Sequence, residues 1–284
     1  MTNADPATLG SPKEMDNTMT ESDVTYSSLP HEKATTLRAL HVAGEPLVLP
    51  NAWDAASARM VETAGFPVVA TSSVATAEVL GYDDGESAPV AEVLAAAARI
   101  ARSVSLPVTV DFERGYGLEP AELVDRLAAT GAVGMNLEDS DPTSGEMVDA
   151  VEQENLLAAV RSAAVSAGLD LVINARTDSF LRRAGSPAEQ LSVSIDRCQR
   201  YLAAGADCVY PIGAADSVVI RTLVDSIPGP VNVGYGKGHH SLAQLAALGV
   251  ARVSFGPILQ FHLYRKFGSA LLSAVAADEN PWAL

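Results

Sequence analysis

Eight short runs of apolar and β-branched residues punctuate the chain, and a helical pattern follows each. They are PLVLPNA (46–52), FPVVATSS (66–73), LPVTVDFE (106–113), AVGMNLED (132–139), LDLVINART (169–177), DCVYPIG (207–213), PVNVGYG (230–236) and ARVSFGP (251–257). They are apolar nearly throughout rather than alternating, which is how parallel strands buried on both faces read. Segments such as PVAEVLAAAARIARSV and PAELVDRLAATG carry a helical period between them. Several helices stop at glycine just before the next strand, in VETAG, LAATG, VSAG, LAAG and AALG. Glycine there accepts the left-handed backbone that ends a helix.

Eight strand–helix units predict an α/β fold of the (β/α)8 TIM-barrel type. A doubly wound open sheet is the competing arrangement. The first strand–helix turn lacks a Gly-rich dinucleotide fingerprint, which counts against it. The 284 residues, 48% hydrophobic, suffice for one such core. Residues 1–28 are polar and aperiodic and read as a disordered tail. Residues 29–284 read as a single barrel domain with a C-terminal helical segment.

Charge narrows the partners. Thirty-five acids against 19 bases give a net charge of -16. Such a surface repels phosphate backbones and anionic lipid, so neither nucleic acid nor membrane is expected as a partner. No run approaches the roughly 20 apolar residues of a membrane span. No basic stretch followed by an apolar one opens the chain, and its two cysteines, Cys198 and Cys208, form no disulfide framework. A reducing cytoplasm is the expected location.

A barrel carries its chemistry at the C-terminal ends of its strands. Asn51, Trp53 and Asp54 follow the first run, Ser72 and Ser73 end the second, and GYDDGE lies in the loop beyond. Asp111 and Glu113 end the third run, Glu138 and Asp139 the fourth, and Asn174, Arg176 and Asp178 the fifth. Asn232 lies in the seventh and Ser254 in the eighth. Residues two apart on a strand share a face. Asp111 and Glu113 are therefore expected to converge with Glu138, and Gly115 and Gly117 to turn the chain sharply away. Carboxylates gathered away from water repel unless a proton or a cation relieves them. Oxygen donors with no His or Cys suit Mg²⁺ or Mn²⁺. The competing reading is a structural ion-pair network through Arg114 or Arg176. Arg176 is also placed to clamp a substrate carboxylate.

The segments LVLPNAWDAASARMVETAGFPVVATSS, LGYDDGE, VDFERGYG, NLEDSD, INARTD and VSFGP, in this order, resemble the isocitrate lyase and phosphoenolpyruvate mutase superfamily over about residues 30 to 265. The resemblance implies a (β/α)8 barrel whose last helix is swapped between subunits, and hence a homo-oligomer, dimer or tetramer. It implies Mg²⁺ held by Asp111, with Glu113, Glu138 and Asp84 acting through water. It implies stabilisation of a pyruvate enolate formed from a small anionic 2-oxo acid or carboxylate. Ser72, Ser73 and Arg176 would hold the carboxylate end, Trp53 would line the pocket and Asn232 its far side.

The chain departs from the pattern where these relatives select their reaction. The lyases carry a Lys-Lys/Arg-Cys-Gly-His loop after the fourth strand, whereas this chain has LEDSDPTSGEMVDAVEQ. The mutases carry a longer loop with a reactive Asn, and Ser140 to Met147 has none. Ile212 stands where relatives supply His or Glu, and Glu113 replaces the commoner Asp. Catalytic roles are expected for Arg176, Glu138 and Asp139. Ser140, Asp141, Glu146, Tyr116, Tyr235 and Lys237 are further candidates for proton transfer, and His239 and His240 add local positive charge. The resulting expectation is a Mg²⁺-dependent lyase that cleaves or decarboxylates an oxaloacetate- or acylpyruvate-like substrate. The alternatives are a phosphonomutase or phosphonopyruvate hydrolase, and a non-catalytic barrel kept for binding or assembly.

Overall fold

A computed structural model describes residues 28–183, 185–236, 238 and 240–283. The expected tail therefore lies outside the described residues, except for Ser28, which opens the first helix. The strands are β1 (Leu47–Leu49), β2 (Asn51–Ala52), β3 (Val69–Thr71), β4 (Val108–Asp111), β5 (Gly134–Glu138), β6 (Val172–Thr177), β7 (Cys208–Pro211), β8 (Asn232–Gly234) and β9 (Arg252–Ser254). Before and between them run α1 (Ser28–Ala39), α2 (Ala55–Thr63), α3 (Ser73–Leu80), α4 (Val90–Ala101), α5 (Pro120–Ala129) and α6 (Ala150–Ser166). Next come α7 (Ser179–Arg182), α8 (Pro187–Ala203), α9 (Ser217–Ser226), α10 (Leu242–Ala247), α11 (Ile258–Phe261) and, after a π-helical turn at His262–Gly268, α12 (Ser269–Ala276).

All strand pairings are parallel. They run β2–β3–β4–β5–β6–β7 on one side and β8–β9–β1 on the other. A parallel bridge between Val209 and Val231, with Val209 N–H donating to Pro230 O, joins β7 to the chain entering β8. β1 and β2 are two halves of one barrel strand. Pro50 between them has no N–H to give the ladder, so the strand changes partner there, from β9 to β3. With that continuity the ring is the eight-stranded barrel the sequence predicts. The glycines expected to end helices do so: Gly65, Gly131, Gly168, Gly205 and Gly249 all have positive φ.

Two cores hold the barrel. The larger lies between sheet and helices and includes Phe112, Leu123, Leu137, Leu157, Ile173 and Tyr201. The smaller fills the base of the barrel with Leu47, Leu49, Val68, Ala70 and Val172, and α1 inserts Ala34 and Leu37 into it. α1 thus plugs the N-terminal mouth. A Cβ at Gly134 would lie 2.8 Å from the Leu37 side chain, so the plug depends on glycine there. Arg38 fastens it by ion pairs of 2.7 Å to both Asp170 and Asp207. With the base filled among the described residues, a ligand reaches the barrel interior from the C-terminal rim.

Candidate active site

Alternation along the strands turns Asp111, Glu138 and Arg176 inward at the upper end of the barrel. Asp111 is held at both carboxylate oxygens. Oδ2 accepts from the backbone N–H and the hydroxyl of Ser73, each at 3.0 Å, and Oδ1 from Asn136 Nδ2 at 3.2 Å. Its own N–H donates to Thr71 Oγ1. Three of the four carboxylate lone pairs are thus engaged, both on Oδ2 and one on Oδ1, so Asp111 keeps acceptor capacity through Oδ1.

Glu113 reaches the pocket by a different route from the one expected. β4 ends at Asp111, so the two do not converge as alternate residues of one strand. Glu113 sits in a left-handed turn with φ 47°, as does Tyr116 with φ 57°. The loop after α3 over-determines this turn. Glu86 N–H donates to Glu113 Oε2 at 2.6 Å, and the Glu86 carboxylate accepts from the N–H groups of Arg114 and Tyr116. Tyr116 Oη donates to Glu113 Oε1 at 2.5 Å. Glu86 was not foreseen, because nothing in sequence spacing ties it to a turn 27 residues away.

Electrostatics bind Asp84, Asp111, Glu113 and Glu138 into one cluster. Burial first, and then the charge of Asp111, raise the Asp84 pKa. Burial, Asp84 and Asp111 push Glu113 up to about 7 against the Tyr116 hydrogen bond. Burial pushes Glu138 up to about 8, with Asp178, Asp111 and Glu113 adding to it and Arg176 opposing. Such a cluster favours protons or a cation. Every donor is oxygen. Among the described residues no three acids, histidines or cysteines converge closely enough to ligate one ion together. The donor set fits a hard ion that keeps most of its waters.

Arg176 faces the cluster. Its Nη1 lies 2.7 Å from Glu138 Oε2, while Nε and Nη2 donate to the two oxygens of Asp178 at 2.6 and 3.1 Å. Burial pulls this guanidinium down, but Glu138 and Asp178 outweigh it and the pKa is raised. Three of its five N–H groups are used, leaving one on each terminal nitrogen for a ligand. The ion-pair reading of Arg176 is thus present alongside the clamp reading. Arg114 is turned away, to Glu152 and Gln153 on α6.

Other expected residues are placed differently. Asp139 is fully buried outside the barrel wall, not in the pocket. Its carboxylate accepts from Arg197 Nη1 at 3.0 Å, Tyr201 Oη at 2.8 Å and the Asp178 N–H at 2.9 Å. Neighbours on a strand face opposite ways, so an inward Glu138 sends Asp139 outward. Ser73 spends its donors on Asp111, and the Ser72 hydroxyl caps α3 by accepting from Ala75 N–H. Trp53 Nε1 donates to Tyr264 Oη at 3.1 Å. Its ring borders a cavity of about 300 Å³ between α2 and the C-terminal segment, with Met60, Leu259 and Phe267. Asn232 does line the interior, donating to Ser254 Oγ at 3.1 Å.

Ser140 donates to Asp178, and Asp141 accepts from Thr143 and Ser144 N–H. With the Ser140–Met147 bridge these bonds close the loop as a compact turn. Lys237 and His239 lie outside the described residues, whereas the Tyr235 ring packs at a tilt against Phe255. Tyr210 was missed. It faces inward on β7 opposite Arg176, and its phenol, hydrogen-bonded with Ser254, is raised in pKa by burial, so it stays protonated at neutral pH.

Comparison with known proteins gives the family and agrees with the fold. The family model described as phosphoenolpyruvate phosphomutase matches residues 37–275. The chain belongs to the phosphoenolpyruvate mutase family. That family sits within the isocitrate lyase superfamily, so the chain is an enzyme of lyase or mutase type. A protein of Corynebacterium glutamicum assigned as a 2-methylisocitrate lyase is 34% identical, over 76% of this chain and 72% of its own length. An oxaloacetate decarboxylase of Rhodopseudomonas palustris is 32% identical, over 70% of this chain and 69% of its own. A crystal structure of a Burkholderia cenocepacia protein assigned as a phosphonomutase is 42% identical, with TM-score 0.80, covering 84% of this chain and 98% of that one. No described helix of this family member is long and apolar enough to cross a membrane.

Proposed function

We propose that the protein is a Mg²⁺-dependent lyase that breaks a C–C bond in a small 2-oxo acid, by decarboxylation or retro-aldol cleavage, leaving pyruvate. The observation that carries this reading is the Asp84–Asp111–Glu113–Glu138 cluster facing Arg176 at the open rim. Asp111, with Glu113, Glu138 and Asp84 through water, would hold the ion. Bound there, it would supply Lewis-acid stabilisation of the oxygen on which enolate charge develops. Arg176, oriented by Asp178, presents its two remaining N–H groups to the substrate carboxylate and fixes the breaking bond in one orientation. Tyr210, neutral and buried, is the proton source for the carbon that leaves the reaction as a methyl group.

The loop after β5 argues against the cysteine-dependent route, since Ser140 to Met147 holds neither Cys nor His. A phosphonate substrate is the second reading, favoured by the Burkholderia relative. Against it, the same loop is tied up by its own hydrogen bonds and offers no Asn. The barrel as a mere binding or assembly scaffold is disfavoured. Gathering four acids in a half-buried pocket destabilises a fold unless the pocket is used.

The C-terminal segment supports an oligomer. α12 buries only Ala274, while Phe267, Leu272 and Val275 are 60–72% exposed. A swapped helix packing on a second subunit would cover them. The two buried free thiols fit a reducing cytoplasm.

The test is a pyruvate-release assay with Mg²⁺ over a panel of oxaloacetate and acylpyruvates, beside phosphorus NMR with phosphonopyruvate. Metal-dependent pyruvate release, abolished in Asp111→Asn, is the expected result. A changed phosphorus signal with no turnover of any 2-oxo acid would overturn it in favour of P–C chemistry.

A further inference from the structure

Below the carboxylate cluster lies a fully buried arginine with no acid beside it. Arg252, 1% exposed, points into the barrel from β9. Its Nη2 donates to Asn136 Oδ1 at 3.2 Å, and its Nη1 lies 3.4 Å from His41 Nε2. No described residue forms an ion pair with it. A lone buried guanidinium is costly, and hydrophobic packing alone would be served better by an apolar side chain. The position calls for another explanation.

The amide of Asn136 supplies one. Asn136 Oδ1 accepts from two donors, Arg252 Nη2 and Asn174 Nδ2, the latter at 2.9 Å. Arginine can only donate. The oxygen of Asn136 must therefore face down toward Arg252, and its NH₂ must face up. That NH₂ meets Asp111 Oδ1. Flipping the amide would set N–H against N–H below and oxygen against carboxylate above. The lower end is fixed in the same way. His41 Nδ1 lies 2.8 Å from Leu37 O and donates to it, so Nε2 is the acceptor for Arg252.

We infer that Arg252 is a positioning residue that acts through the Asn136 amide to hold the Asp111 carboxylate in its ion-binding orientation. The inference rests on the metal reading given above. Arg252 touches neither substrate nor ion. It locks one rotamer and one amide orientation, and its positive charge lies on the far side of Asp111 from the pocket. Outer partners of this kind typically govern metal affinity by 10–100-fold.

The test measures Mn²⁺ affinity by electron paramagnetic resonance, with melting temperature recorded alongside, in wild type, Arg252→Met, Arg252→Lys, Asn136→Ala and Asn174→Ala. Weakening of Mn²⁺ binding by roughly 10-fold or more is expected in folded Arg252→Met and in Asn136→Ala. The double variant Arg252→Met/Asn136→Ala should bind no more weakly than the weaker single one, because both changes break the same link. Arg252→Lys should recover part of the affinity, and Asn174→Ala, which removes the other donor, should show a smaller loss. A lowered melting temperature with unchanged Mn²⁺ affinity would overturn the positioning role and leave Arg252 purely structural. If Arg252→Met does not fold, additive losses in Arg252→Lys/Asn136→Ala overturn it equally. Failure of the wild type to bind Mn²⁺ overturns the metal reading, and the positioning proposal with it; binding by the wild type that the variants keep overturns the positioning proposal alone.

Discussion

Glu86 and Glu113 hold each other's turns. The N–H of Glu86 donates to the Glu113 carboxylate, and the Glu86 carboxylate gathers the backbone N–H groups that follow Glu113. Both residues have positive φ, at 57° and 47°, a conformation that ordinary side chains adopt only where surrounding contacts impose it. Glu86→Ala should therefore release the turn and misplace Glu113 without emptying the core. Mn²⁺ affinity should fall roughly 10- to 100-fold, with little change in melting temperature. Titration calorimetry checks this, and a variant that binds the ion as wild type does would show that Glu113 is placed by other contacts.

Arg176→Lys keeps the charge but loses the fork. Asp178 then takes one hydrogen bond from this side chain instead of two, and no planar pair remains for a carboxylate. A drop in kcat/KM of roughly 100-fold, about 3 kcal/mol, is expected on the substrate that the assay panel identifies. Steady-state kinetics decides the point, and a near-normal value would mean that Arg176 serves the Glu138–Asp178 network alone.

Asp139→Ala should harm the fold rather than the chemistry. It strands Arg197 in a buried site, and breaking a buried pair typically costs about 3–5 kcal/mol. Urea titration should show that loss, while the folded fraction at low temperature keeps its kcat. A collapse of kcat in fully folded protein would return Asp139 to the catalytic set.

His41 gives a pH dependence with a definite sign. Burial and the neighbouring Arg252 hold its pKa down at about 4, against the ordinary 6.5. The unfolded chain thus binds a proton that the folded chain refuses. Stability from this group is intact above about pH 6.5 and declines as the pH falls toward 4, by up to about 3 kcal/mol. His41→Gln, which still offers an acceptor to Arg252, should lose less stability than wild type between pH 7.5 and 5. Denaturant titrations at the two values check it, and equal losses would place the titrating group elsewhere.

The inward carboxylates and Arg176 were legible because strand alternation and the end-of-strand rule need only local sequence. Asp139 was expected beside Glu138 in the catalytic set, although the same alternation sets neighbouring residues on opposite faces. Arg252 was legible in principle too, as a charged residue on the inward phase of ARVSFGP. What sequence could not give was partnership between distant loops. Glu86 with Glu113, Ser73 with Asp111 and Trp53 with Tyr264 are 27, 38 and 211 residues apart. Each is decided by how the loops close over the rim, which depends on the whole ring.

Because α1 stoppers the base, the described residues leave the barrel interior a door at the C-terminal rim. Whatever reaches Asp111 and Arg176 must leave the way it came. A cleavage that yields two fragments therefore creates traffic: the piece nearer the rim has to depart before the piece held by Arg176 can follow. Release should be ordered, the fragment held by Arg176 should act as a competitive inhibitor, and the outer one should not.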